Sequence, residues 1–290
     1  MAAIGRDWAL STGQLALLGS AGMLGMALGA ALSGIAADRW GRRTVIMMTL
    51  IIFGVASGLS GFAVNYPMLL ILRFITGFGL GGELAAASTL ISEYAPAKIR
   101  GRYVIFLESF WAWGWILASL VAYLVIPFAA NGWRIAFWVG AIPALFAALL
   151  RQMVPESPRY LAAAGRLAEA DALVARMEKQ AGLVSPAETA PDTAAKPENR
   201  PHVTFAALWS RKYLRRTIVM WIIWFGINFG YYGFVLWTPS LLVGRGFDLV
   251  KSFEFTLIMC LAQLPGYFSA AWLVEKIGRK YVLAVYFAGT

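Results

Sequence analysis

Five long runs in this chain contain no Asp, Glu, Lys or Arg, and they limit its fold more than any other feature: Trp8–Ala37, Thr44–Leu72, Ser109–Trp133, Thr217–Gly244 and Phe255–Val274. Each is long enough for a helix to cross a hydrocarbon core of about 30 Å, which takes roughly 20 residues. Soluble core strands are far shorter. In lipid every backbone polar group must be bonded internally, so runs of this kind must be helices. Composition agrees: the 290 residues are 60% hydrophobic and only 14% charged, with mean hydropathy +0.66, against about 25% charged in a soluble domain. The expected class is an all-α membrane protein.

The net charge of +10 does not point to nucleic acid, because the cations sit in short clusters between the apolar runs. Seven complete spans are read near Leu15–Ala37, Thr44–Val64, Pro67–Ser88, Tyr103–Ile126, Trp133–Leu150, Ile218–Leu236 and Phe255–Val274, with the start of an eighth near Tyr281. Arg39, Arg42 and Arg43 follow the first span, Lys98, Arg100 and Arg102 the third, and a basic segment from Arg151 the fifth. Lys276, Arg279 and Lys280 follow the seventh. Alternate loops are basic, which places them in the cytoplasm, inside a plasma (inner) membrane, and puts Met1 on the outer side. Met1 shows no signal-peptide pattern, and Met1–Trp8 reads as a short polar connection.

Three regions follow: residues 1–153 as a first transmembrane half, 154–216 as a cytoplasmic central segment, and 217–290 as the start of a second half. Within the central segment, Arg166–Lys179 reads as an amphipathic helix with Leu167, Ala170, Leu173, Val174 and Met177 along one stripe. Residues 181–201 read as a flexible linker. Thr204–Arg216 reads as a second surface helix, with Arg211, Lys212, Arg215 and Arg216 towards headgroups. His202 reads as a solvated loop residue. The lone Cys260 permits no disulfide within the chain.

The chain also repeats itself. Asp38-Arg39-Trp40-Gly41-Arg42-Arg43 recurs as Glu275-Lys276-Ile277-Gly278-Arg279-Lys280, each after a span. Repeated halves characterise secondary transporters, whose solute binds near the midplane between them. Three ionisable residues lie inside spans: Arg73, Glu83 and Glu108. A charge near the bilayer centre costs about 2.5–3.5 kcal/mol on insertion scales, so such residues face a cavity and act there. Arg73 and Glu83 are separated by about 15 Å along one helix and point about 80° apart, so they cannot pair. Glu83 and Glu108 lie on antiparallel spans and could approach at similar depth. Coupling with substrate binding is one reading of the three; a structural ion pair is the other. The polar and aromatic residues Trp111, Asn228, Tyr231, Tyr232 and Gln263 complete the candidate cavity, whose rings suit a flat solute better than a sugar. Gly77 and Gly81, like Gly22, Gly25 and Gly29, read as close helix packing. No nucleophile–base pair, metal cluster or phosphate-binding loop occurs in a coherent setting, so neither catalytic residues, nor a metal, nor a cofactor is expected; the chain does not read as an enzyme.

Gly34-x-x-x-Asp38-Arg39-x-Gly41-Arg42-Arg43 resembles the signature loop of the major facilitator superfamily. Glu93-x-x-Pro96-x-x-x-Arg100-Gly101-Arg102 and Pro155-Glu156-Ser157-Pro158-Arg159 resemble two further signatures of its sugar-porter-like branch. The resemblance implies a partial major facilitator fold of two pseudo-repeated halves, lacking the first and the last four of twelve helices, and monomeric when full length. A chain so truncated is expected to be transport-incompetent alone. Gly41 permits a tight turn, and Asp38 is expected near a helix N-terminus, where the dipole favours it. Asp38, Arg39, Arg42, Glu93, Arg100 and Arg102 would form a cytoplasmic gate, with Glu156, Arg159, Glu275 and Arg279 in its companion; plain obedience to the topology rule is the alternative. Gly34, Arg43 and Gly278 belong to the same motifs. Arg73 matches the Arg that pairs with a first-helix Asp in proton-coupled sugar porters.

Departures from sugar porters bear on the solute. Ile222 and Ile223 stand where those porters carry a Gln pair, and Glu108 stands where they carry a fifth-helix Gln. The segments Tyr231–Ser240, Leu261–Tyr267 and Leu107–Ala112 resemble bacterial niacin (nicotinate) permeases within the superfamily. The resemblance implies a proton-coupled symporter for an aromatic monocarboxylate such as nicotinate, with the proton as coupling ion and a small organic acid and the lipid bilayer as partners. Alternatives are a porter of sugars or other organic ions, and a transport-dead membrane sensor or scaffold.

Overall fold

The computed structural model describes residues 2–96, 99–126, 131–180, 205–235 and 237–289. Among the described residues almost all are helical and none is in a strand. They divide into two compact units, Met1–Tyr160 with Pro239–Thr290, and Leu161–Thr238. His202 and the expected linker 181–201 lie outside the described residues, as do Lys98, Thr204 and Leu236.

The first unit opens with α1 (Ala2–Asp7), where a polar connection was expected. It is a helix because it has something to pack on: Ile4 is buried with Leu18, Ala63, Leu69 and Trp133, and the Trp133 indole N–H donates to Asp7 Oδ2 at 3.0 Å. Helix α2 (Thr12–Trp40) starts at a capping box in which Ser11 Oγ accepts from Gln14 N and Gln14 Oε1 accepts from Ser11 N, two otherwise orphaned donors satisfied together. Then come α3 (Arg42–Ser60), α4 (Tyr66–Tyr94) and α5 (Arg100–Val125). Asn65 Oδ1 caps α4 by accepting from Met68 N at 2.9 Å, with Pro67 in the first turn, where its missing N–H costs nothing.

The fifth expected span, Trp133–Leu150, is not one helix. It is broken into α6 (Gly132–Val139) and α7 (Ile142–Met153). Pro143 has no N–H to give the Val139 carbonyl, so the α ladder stops there. The chain turns instead through shorter bonds, Ala141 N to Trp138 O and Ala144 N to Ala141 O, and resumes. Helix α8 (Pro158–Ala163) follows at the unit boundary.

Helix α4 is the centre of the first unit, packed on α2 and α3. Its approach to α2 is backbone on backbone. A Cβ on Gly77 would collide with the Gly22 carbonyl, one on Gly81 with that of Met26, one on Gly25 with that of Phe74 and one on Gly29 with that of Phe78. Two stripes of small residues four apart mesh, as close helix packing in lipid requires. The outer faces are apolar: Leu17, Leu24, Leu28, Leu32 and Ile35 of α2 are all exposed. Such a wall is an aggregation hazard in water and the normal exterior in a bilayer.

The second unit holds α9 (Leu167–Gln180), a 3₁₀ turn at Phe205–Trp209, and α10 (Leu214–Val235). Helix α9 forms where the amphipathic stretch was expected, with Ala170 buried and Leu173 and Met177 half-buried, but Leu167 and Val174 of the expected stripe are exposed. Arg166 donates to both Glu169 oxygens at 2.7 and 2.6 Å, which holds that carboxyl below its ordinary range. The second surface helix expected over Thr204–Arg216 does not form as one element. Ser210 ends the 3₁₀ turn, its carbonyl accepting from Tyr213 N and Leu214 N, and α10 begins at Leu214. The turn is tied to α10 by Thr217 Oγ1 donating to the Leu208 carbonyl and by Trp209 meeting Trp221 edge-on at 5.4 Å.

After α11 (Thr238–Gly244), at the boundary again, the first unit continues with α12 (Leu249–Lys276) and α13 (Arg279–Ala288). Helices α2, α3, α4, α5, α10 and α12 are each long and apolar enough to cross a membrane. With α6 and α7 together, and the beginning in α13, they account for the expected spans.

Candidate functional site

Ionisable residues gather at two levels: the end of the bundle that carries the basic loops, and the interior of the spans.

At the basic end everything turns on Gly41. Its φ of 95° and ψ of 151° serve as the end of α2 and the start of α3 at once, a backbone region reserved almost wholly for glycine. This sharp turn leaves the first N–H groups of α3 pointing outward, and Glu156 fills the gap. Its Oε1 accepts from Arg42 N at 3.0 Å, Arg43 N at 3.2 Å and Ser157 N at 2.9 Å. A carboxylate at a helix N-terminus is favoured by the exposed N–H groups and the dipole together. Asp38 does not hold that position. It lies in the last turn of α2, where the dipole disfavours it, and Arg42 compensates from four residues on, at 2.9 Å. Arg42 also donates to the Ala37 carbonyl at 3.0 Å and pairs with Glu93 of α4 at 3.2 Å. Glu93 in turn accepts from the Ser157 hydroxyl. The Tyr94 hydroxyl donates to the Glu156 carbonyl and the Tyr160 hydroxyl to the Arg39 carbonyl. Thus α2, α3, α4 and the stretch before α8 are clasped around Arg42.

This redistributes two of the residues assigned by motif. Glu156 belongs with Arg42 and Glu93 rather than with Glu275 and Arg279, because the α3 N-terminus needs a carboxylate and the irregular stretch between α7 and α8 brings this one to it. Arg102 pairs with Glu275 of α12, so it ties α5 to the repeat motif. Gly101 lies beside Arg279, an added Cβ falling 3.7 Å from Arg279 Nε. Arg100 folds back on the Ala95 carbonyl at 3.3 Å. Arg159 and Gly34 are exposed. Gly278 repeats Gly41 in backbone as well as in sequence, with φ 83° and ψ 158° at the start of α13.

Inside the spans, Arg73 of α4 is held by α3 and α6. Its Nη2 donates to Ser60 Oγ at 3.2 Å and Thr76 Oγ1 at 3.3 Å, and its guanidinium carbon stands 4.4 Å from the Phe137 ring centre. Its Nε is buried without a hydrogen bond, and among the described residues no carboxylate pairs with it. Glu83, about 15 Å further along α4, is half-buried. Glu108 does not stand level with Glu83. It accepts from Ser88 Oγ at 3.2 Å, which sets it about 7.5 Å further along α4 than Glu83. Trp111 shares the Glu108 face one turn on, and Gln263 lies on α12; both are half-buried. In the second unit, Asn228 Nδ2 donates to the Trp224 carbonyl at 2.7 Å, and the rings of Tyr231 and Tyr232 meet edge-on at 5.4 Å.

Ser157, Tyr94, Tyr160, Ser60, Phe137 and Ser88 did not stand out in the sequence. A hydroxyl inside a charge-free run was the available signal for Ser60, and a hydroxyl between Glu83 and Glu93 at the end of a span for Ser88; for Ser157 it was membership of the Pro155–Arg159 motif.

A family model for sugar (and other) transporters matches residues 5–290. The chain belongs to that family. With six helices among the described residues long and apolar enough to cross a membrane, it is an integral membrane protein. The niacin transporter NiaP of Acinetobacter baylyi is 49% identical over 285 residues, covering 98% of this chain and 64% of that protein. A Bacillus subtilis relative that also carries the NiaP name is 42% identical over 290 residues, covering all of this chain and 64% of its own length. The chain thus spans just under two thirds of these curated relatives. Among solved structures, the major facilitator superfamily proton:xylose symporter XylE bound to 6-bromo-6-deoxy-D-glucose superposes with a TM-score of 0.69 at 24% identity, over 93% of this chain and 62% of that one. At that identity the likeness establishes the major facilitator fold alone.

Proposed function

We propose that this chain is the greater part of a proton-coupled carrier that brings nicotinate, an aromatic monocarboxylate, across a plasma (inner) membrane by alternating access. The observation that carries the reading is Arg73. A guanidinium held inside the spans by two hydroxyls and a ring, with a buried N–H unspent and, among the described residues, no carboxylate beside it, is costly to maintain in a membrane. It becomes favourable when an anion arrives, since charge-assisted hydrogen bonds to a carboxylate are about twice as strong as neutral ones. The name of the 49%-identical relative supplies the solute.

In this reading the basic loops face the cytoplasm, residues 154–216 form a cytoplasmic link between the two halves, and the clasp at Arg42 closes the inner face when the carrier opens outward. The loss of amides at Ile222, Ile223 and Glu108 argues against a sugar. Equilibrium binding of labelled nicotinate to the carrier, expressed with its flanking coding sequence, tests the anion role. Arg73→Ala is expected to weaken binding at least about tenfold, the equivalent of one charge-assisted hydrogen bond. Binding at the wild-type level by Arg73→Ala removes Arg73 from the site.

A further inference from the structure

Helices α5 and α12 pack antiparallel along one seam. Arg102 pairs with Glu275, Phe106 meets Phe268 at 6.4 Å between ring centres, and Ser119 Oγ lies 3.9 Å from Cys260 Sγ. Glu108 sits on this seam about 9 Å beyond Arg102, counted along the helix. Tyr267 of α12 lies within its electrostatic reach, and Ser88 of α4 donates to its Oε1 at 3.2 Å. Among the described residues nothing donates to Oε2. Among the described charged and titratable groups, Tyr267 on α12 interacts with it, Glu83 lies about 7.5 Å along α4 from Ser88, and the Arg102–Glu275 pair lies towards the basic end. Among the described residues no cation pairs with it.

These surroundings suit a group that changes its protonation. A serine hydroxyl donates to a carboxylate and accepts from a carboxylic acid equally well, so Ser88 keeps its contact in both states. An Arg or Lys partner would lock the ionised form. Glu83, by contrast, makes no hydrogen bond among the described residues. Enclosing an ionised carboxylate between apolar helices is costly, and enclosing a neutral carboxyl is much less so. The charge on Glu108 therefore biases whether α5 and α12 close on each other. Arg73 is about 22 Å from Ser88 along α4, so a single-ring acid cannot touch Arg73 and Glu108 together.

We propose that Glu108 carries the coupling proton: Oε2 takes one proton from the outer side, and the O–H bond so formed gives that proton to the cytoplasm when the Arg102–Glu275 end of the seam parts. Ser88 is the positioning residue. The proposal rests on the reading of the chain as a proton-coupled nicotinate carrier.

The test uses the carrier with its flanking coding sequence, reconstituted in vesicles and given labelled nicotinate. A gradient of one pH unit supports up to about tenfold accumulation for one proton per solute. Wild type is expected to accumulate nicotinate and to exchange it in counterflow without a gradient. Glu108→Gln is expected to exchange it but to stop when internal and external concentrations are equal. Accumulation by Glu108→Gln overturns the proposal, and so does loss of both activities with the protein in the membrane. Ser88→Ala is expected to move the pH of half-maximal uptake while counterflow is kept; an unmoved profile overturns the proposal even where Glu108→Gln fails to reach the membrane. A wild type that exchanges nicotinate but never accumulates it sinks proton coupling itself, and one that does neither sinks the nicotinate reading.

Discussion

Three glycines of the signature motifs, Gly34, Gly41 and Gly278, allow the turn at Gly41 to be measured piece by piece. At Gly41 an alanine meets two obstacles. The backbone at φ 95° and ψ 151° costs a residue with a Cβ about 1–3 kcal/mol. The Cβ itself would collide with the Glu156 carboxylate and stand 3.0 Å from Tyr160 Cε1. Glu156 cannot move without loosening its hold on Arg42 N and Arg43 N, and one hydrogen bond to a charged group is worth about 1.5–3 kcal/mol. Gly41→Ala is therefore expected to destabilise by about 2.5–6 kcal/mol. Gly278 has the same backbone, but nothing lies within 4 Å of its added Cβ, so Gly278→Ala should cost only the backbone share, about 1–3 kcal/mol. Gly34 is helical, exposed and open around its Cβ; Gly34→Ala should be neutral or stabilising by about 0.5–1 kcal/mol. Thermal denaturation of the three purified variants in one detergent gives the order, with Gly41→Ala lowest and Gly34→Ala at or above wild type. Equal melting of Gly41→Ala and Gly278→Ala would refute the lock between Glu156 and the α3 terminus.

The acidic partners of Arg42 should differ sharply. Asp38 is 76% exposed and Glu93 only 11%, so Asp38→Asn is expected to cost about 0–1 kcal/mol and Glu93→Gln about 1–3 kcal/mol, since it removes the charge facing a largely buried guanidinium and turns one of the two accepting oxygens into a donor. The same melting assay checks this, and the reverse order would contradict the clasp. Gly77→Ala puts a methyl group on the Gly22 carbonyl and should cost about 1–3 kcal/mol by forcing α2 and α4 apart; a wild-type melting temperature would show that the two helices are not in backbone contact.

The spans were legible because a charge-free run in lipid has only one way to satisfy its backbone. Their ends shifted by a few residues for a local reason: Ser11 and Asn65 cap helices earlier than hydropathy alone suggests. The break at Gly140–Ala141 was harder to see, since Pro143 sits in a run that is apolar throughout and only the missing N–H interrupts it. Motif spacing found Gly41, Arg42 and Glu93. It misplaced Glu156, which lies 114 positions from the Arg42 N–H it accepts from; a contact so distant in sequence depends on the packing of α3, α4 and α7. Depth was misjudged for Glu108 because antiparallel spans fix no register by themselves. That register comes from side-chain meshing along the α5–α12 seam and from Ser88. Helix α9 was legible from periodicity, although Leu167 and Val174 of its expected stripe are exposed; the turn at Ser210 was not, since nothing in the spacing of Arg211, Lys212, Arg215 and Arg216 separates one continuous helix from a turn followed by α10.

The most direct test of the transport reading is uptake of labelled nicotinate by cells expressing this reading frame with its flanking coding sequence, with a protonophore, benzoate and glucose as additions. Uptake that nicotinate competes for, that glucose leaves untouched and that the protonophore abolishes is the expected result. No nicotinate uptake, with the protein present in the membrane, would leave the major facilitator fold standing and contradict the solute assignment.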